Sequence, residues 1–140
     1  MTTSRTEATA ILSQTLAGEY AAAYAYGVVG SHLEGTAKDR ARRALVEHNI
    51  LRDQLRTALT ELGATPPAPA AAYKSPIDVT SPATANALAV LVESRLVRSW
   101  SAVAATLNGA ARLSAARTAQ QCAVRAISWG GPTSAFPGAS

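Results

Sequence analysis

The sequence predicts an all-α fold: four helices in an antiparallel bundle, with one long crossover between helices 2 and 3. Three observations predict it. Alanine fills 32 of the 140 positions while aromatic residues make up only 5%, a composition suited to closely approaching helices and poorly suited to a sheet built from β-branched and aromatic side chains. Apolar residues recur at helical spacing in four long segments. The links within the first and last pairs of segments are short, whereas ~19 residues, enough chain to reach roughly 60 Å, separate the second from the third. A 25-residue helix is only ~38 Å long, so this link can run the whole length of a bundle.

Each element has its own signals. Ser4-x-x-Glu7 has the form of a capping box and opens a first helix over about 5–33, ended by Gly35. Thr36 and Asp39 are placed to open a second, over about 37–62, with Gly63 suited to the left-handed position after a helix C-terminus. Residues 63–81 hold four prolines and no helical pattern, so they are read as an extended link. Ser81-Pro82 gives an N-cap followed by proline in the first turn, starting a third helix over about 82–107. Asn108-Gly109 ends it, and a fourth helix over about 110–129 precedes an irregular tail, 130–140, in which Trp129 and Phe136 are expected to fold back over one bundle end. The whole chain reads as one domain.

Composition excludes several classes. No apolar run reaches the ~18 residues that a membrane span needs, and the N-terminal stretch MTTSRTEATA has no signal-peptide core. Cys122 is the single cysteine, which excludes an intrachain disulfide and a multi-cysteine zinc site. A cytoplasmic protein is expected. The formal net charge is +4 and 11 of the 13 basic residues are arginine. They are spread over all four helices, with only Arg40, Arg42 and Arg43 grouped, so a nucleic-acid surface is disfavoured.

The apolar stripes carry the main functional signal. Leu12, Leu16, Glu19, Ala23, Tyr26, Gly30 and Leu33 share one face of helix 1. Ala41, Ala44, Leu45, His48, Leu51, Leu55, Leu59 and Leu62 share one of helix 2, and Ala89, Glu93, Leu96, Trp100, Val103 and Leu107 one of helix 3. Leu113, Arg117, Gln120, Val124 and Ile127 mark the stripe of helix 4. Glu19, His48, Glu93 and Gln120 lie near their helix midpoints, so they are expected to meet in one layer. A buried carboxylate without a partner costs several kcal/mol. The layer therefore either pairs internally, with Arg52 or Arg117 as the neutralising cation, or holds a divalent ion on Glu19, His48 and Glu93, with Glu47 as a further candidate ligand. Tyr20, Tyr24 and Tyr26 are expected to pack with their hydroxyls at the rim, and Cys122 to be a structural thiol.

The segments GEYAAAYAYGVVG (18–30), VEHNILRDQL (46–55), ELGATPPAPAAAY (61–73) and AVRAISWGGPTSAFPG (123–138) resemble a family of small bacterial ferritin-like proteins known as a domain of unknown function. The resemblance spans nearly the whole chain and implies the ferritin-like bundle and a homodimer. A di-iron centre of that superfamily takes one Glu from each of two helices and Glu-x-x-His from each of the other two. Here Glu47 directly precedes His48, so at 100° per residue the two side chains diverge. The fourth helix has no Asp, Glu or His, and Gln120 and Gln121 stand where charged ligands would be needed.

Three functions remain open. The favoured one is a non-catalytic binding or assembly protein with no cofactor and an incomplete di-iron site, its Ala-rich faces (Ala21, Ala22, Ala25, Ala102, Ala104, Ala105) serving a homodimer. The second is an oxidoreductase or metal-handling protein with one Fe, Mn or Zn on the reduced Glu/His site. The third is an Arg-dependent binder of nucleic acid or an anionic ligand through Arg40, Arg42 and Arg43.

Overall fold

The computed structural model describes residues 4–133, and all four of its helices fall where the periodicity predicts: α1 Arg5–Ser31, α2 Gly35–Glu61, α3 Pro82–Thr106 and α4 Gly109–Ser128. Phe136 lies outside the described residues. No strand occurs among the described residues, and none of their helices is long and apolar enough to cross a membrane.

The ends follow local chemistry. Ser4 accepts from the Glu7 amide while Glu7 reaches back to the Ser4 amide, and Ser81 and Thr84 form the equivalent reciprocal pair ahead of Pro82. Helix α2 departs from expectation. Thr36 does not cap it; Glu34 is the N-cap, and Gly35, read from sequence as the break, is the first helical residue with φ +61°. Helices α2 and α4 end alike. Gly63 and Gly130 take φ +79° and +107°, so the amides of Ala64 and Gly131 fold back to the carbonyls of Leu59 and Ala126 at 3.0 and 2.9 Å. The turn after α4 holds Trp129 at the mouth of the core, where its side chain is buried.

Packing is asymmetric. α1 lies against both α2 and α3, and α3 against α4, whereas α2 and α4 make no close backbone approach among the described residues. Small residues permit the tight pairs. A Cβ on Gly18 would come within 3.2 Å of Leu96 Cδ2, and Ala22, Ala25, Ala85 and Ala89 are buried within the chain's own core. Ala22 and Ala25 are thus already covered and are not available to a second copy. The segment between α2 and α3 packs on α1: Tyr20 donates to the Pro67 carbonyl at 3.0 Å and Tyr24 stacks on Tyr73 at 5.2 Å.

The predicted stripes of α1, α2 and α3 face the core. That of α4 does not. Leu113, Val124 and Ile127 are 53%, 65% and 42% exposed, and Arg117 and Gln120 are exposed with them. Helix α4 turns Ala115, Thr118, Ala119, Cys122 and Ala126 inward instead. These small side chains let it sit close to α3, and of the larger apolar residues that suggested the opposite phase Leu113 and Val124 line the edge facing α2.

Candidate functional site

The centre of the bundle is a chain of buried polar groups. Helix α1 brings Glu19 and Tyr26, α2 His48, α3 Glu93 and Trp100, and α4 Arg125, with Trp129 just beyond it. Glu19, His48 and Glu93 are fully buried. His48 Nδ1 lies 2.7 Å from Glu19 Oε2, and Nε2 lies 2.9 Å from Glu93 Oε2. A neutral imidazole would present a lone pair to one of these carboxylates; an imidazolium donates to both. Burial acts to lower the His48 pKa, but the hydrogen bonds and charges of Glu19 and Glu93 outweigh it and push it up to about 9. The ring is therefore a cation at neutral pH.

Of the two remaining carboxylate oxygens, one is engaged. Trp100 Nε1 donates to Glu19 Oε1 at 3.0 Å. Glu93 Oε2 accepts from the Tyr26 hydroxyl at 2.5 Å and from Arg125 Nε at 3.2 Å, in addition to His48. Trp129 Nε1 donates to the Tyr26 oxygen at 3.0 Å. Burial favours a neutral Glu93, but the His48 hydrogen bond and the His48 and Arg125 charges win, so its carboxyl stays below the usual range. Burial and the neighbouring Glu93 charge drive the Tyr26 phenol far up, and it serves as a fixed donor. Glu93 Oε1 is buried without a hydrogen-bond partner among the described residues.

Arg125 carries the cluster to the surface. Its side chain is 17% exposed, and it also pairs with Glu47, which is 54% exposed, and donates to Cys122 Sγ at 3.5 Å. Burial opposes its charge, yet the Glu93 and Glu47 carboxylates hold it even more firmly protonated than an ordinary arginine. Two carboxylates (Glu19, Glu93) and two cations (His48, Arg125) balance inside. Burial pushes the Cys122 thiol strongly up, so the thiol rather than the thiolate is the form present.

Several expected partners stand elsewhere. Arg52 is half-buried and bonds Asp53 and Asn49 at 2.9 and 3.2 Å, not the central carboxylates. Arg117 and Gln120 are exposed because α4 is rotated from its predicted phase. Glu47 meets Arg125 rather than Glu19 or His48. Among the described residues no group of three or more His, Cys, Asp or Glu side chains is arranged to hold a metal ion. The Tyr26 hydroxyl, expected at the rim, is buried. Tyr26 and Trp100 were on the predicted stripes, and a buried phenol or indole needs a polar partner; that was the signal pointing to them. Arg125 follows only if the small-residue stripe of α4 is taken as its inner face.

The family described as a domain of unknown function (DUF4439) matches residues 11–140. The chain belongs to the DUF4439 family. A crystal structure of a conserved hypothetical protein, rv2844, from Mycobacterium tuberculosis is similar to this DUF4439 chain at 33% identity and a TM-score of 0.83, covering 87% of this chain and 93% of that one. No curated protein matches.

Proposed function

We propose that this DUF4439 chain is a ferritin-like bundle whose central site is a self-neutralised ionic cluster in place of a di-iron centre, and that it works as a non-catalytic binding or assembly protein. In this reading residues 62–81 are the long crossover of a ferritin-like topology, supported by their packing along α1 at Tyr20 and Tyr24. The observation that carries the proposal is His48 bonded to a carboxylate at each ring nitrogen. An imidazolium has no lone pair for a metal, and Arg125 adds a fixed cation where the di-iron pattern requires an anionic ligand. Glu19 and Glu93 spend three of their four oxygens on protein donors. The residues present do not fit a di-iron group.

The reading places the chain in the cytoplasm, in keeping with a single buried cysteine, and takes it as a homodimer. Elemental analysis of protein purified without chelator tests it: less than one tenth of a metal ion per chain is the expected result, and stoichiometric iron, manganese or zinc lost in Glu19→Ala would reverse it. A second reading, metal handling on Glu19, His48 and Glu93 with Glu47 nearby, is favoured by one observation, the unpartnered Glu93 Oε1 in the core. It requires His48 to give up a proton and one carboxylate contact.

A further inference from the structure

We propose that the open edge between α2 and α4 is a binding site for a small polyanion carrying phosphate or carboxylate groups, clamped by Arg43 from one helix and Arg117 from the other. The other three helix edges of the bundle are closed by close packing, and among the described residues this one is not. It holds a cavity of about 480 Å³ whose lining includes Arg40, Arg43, Arg117 and Arg125 and, among the described residues, a single carboxylate, Glu47. A second cavity of about 660 Å³ continues it and shares Glu47, Gln121, Arg117 and Arg125.

The four arginines are not equivalent. Arg125 is tied to Glu93 and Glu47. Arg40 donates to the Ser128 carbonyl at 2.8 Å and lies 4.3 Å over the Trp129 ring, which fixes it as one wall. Arg43 and Arg117 have no ion pair among the described residues. Two uncompensated guanidinium groups facing one cavity repel each other, and a multiply charged oxyanion that accepts a fork of hydrogen bonds from each relieves this. Gln121 adds a neutral amide to the same wall. Arg42, the other member of the basic group, is exposed and pairs with Asp39 at 3.7 Å; it does not line the cavity. The clamp goes beyond the ferritin-like reading and does not depend on whether the central cluster holds a metal, because Arg43 and Arg117 take no part in that cluster.

Titration calorimetry of the full chain with pyrophosphate and, separately, with citrate tests the clamp and tells the two ligand chemistries apart. Saturable binding of at least one probe with one site per chain is expected. Arg43→Ala and Arg117→Ala should each weaken it at least about tenfold, while Arg42→Ala leaves affinity within about twofold of the parent. Glu47→Gln, which removes the competing carboxylate, should tighten binding. Both clamp positions are exposed, so folding is checked simply by an unchanged helical circular-dichroism signal. Absence of saturable binding of both probes overturns the proposal. So does equal weakening by Arg42→Ala and Arg117→Ala, the mark of diffuse surface charge. Tighter binding to a mixed-sequence DNA duplex than to either probe would likewise overturn it, assigning the surface to nucleic acid.

Discussion

Replacing Glu93 with alanine removes the acceptor on which three elements converge. Its Oε2 takes donors from Tyr26 of α1, His48 of α2 and Arg125 of α4. Arg125 retains Glu47 and some solvent, so little of the cost falls there. His48 keeps Glu19 but is left as a buried cation with one bare N–H, and the Tyr26 hydroxyl loses its acceptor. Breaking a buried ionic network on one side costs ~3–5 kcal/mol, and for a chain of this size each kcal/mol lowers the midpoint by roughly 3 °C, so a fall of roughly 10–15 °C is expected. Thermal unfolding followed by circular dichroism at pH 6, where both His48 and Glu93 are charged, reads it directly. Glu93→Gln, which keeps the shape and one carbonyl acceptor, should lose less than Glu93→Ala. A shift under about 3 °C for Glu93→Ala would refute the premise that the layer is dry and mutually neutralised.

Other outcomes follow from the same geometry. The His48 pKa is raised from 6.5 to about 9, so its contribution is complete below 6.5 and lost as pH rises towards 9, on the order of 3 kcal/mol; Glu93 is shifted the other way, so its contribution is present above 4.5 and lost as pH falls through its lowered value. Urea unfolding at a series of pH values should therefore show greatest stability between pH 4.5 and 6.5, and a flat profile from pH 6 to 9 would contradict it. Trp100→Phe deletes the indole donor to Glu19 and should cost about 1–2 kcal/mol in the same assay, whereas no loss would mean that Glu19 Oε1 is otherwise satisfied. Cys122, fully buried with its thiol pushed up, should react with a thiol reagent at pH 8 only as fast as the protein unfolds; rapid labelling of folded protein would show the α3–α4 packing to be loose.

The sequence made three of the four helical faces legible because their stripes combine large apolar residues with a mid-helix polar one. Leu16 and Glu19, Leu55 and His48, and Leu96 and Glu93 give a phase that admits no alternative. Helix α4 misled because size was taken as the mark of burial. Its inner face is Ala115, Ala119, Cys122 and Ala126, selected by how near α3 lies, and that distance is a tertiary quantity no single helix encodes. Rotating α4 moved Arg117 and Gln120 to the surface and brought Arg125 in. The partnership of Arg125 with Glu93 joins positions 32 residues apart in sequence, across the α3–α4 turn. Charge balance demanded some cation in the layer, and the choice among Arg52, Arg117 and Arg125 needed the helix rotations. The cap residues behaved as local chemistry requires at Ser4, Ser81 and Gly63, whereas Gly35 shows that a left-handed glycine can open a helix as readily as close one.

In this structure His48 sits in the bundle core as an imidazolium held between Glu19 and Glu93. Nitrogen-15 NMR of the histidine side chains as a function of pH measures this most directly, with His48→Gln assigning the signal. The structure predicts that both ring nitrogens of His48 carry protons at pH 7, exchange slowly with water, and titrate near pH 9. A ring that is singly protonated at pH 7, with one nitrogen bare, would mean that the buried carboxylates are not neutralised by His48.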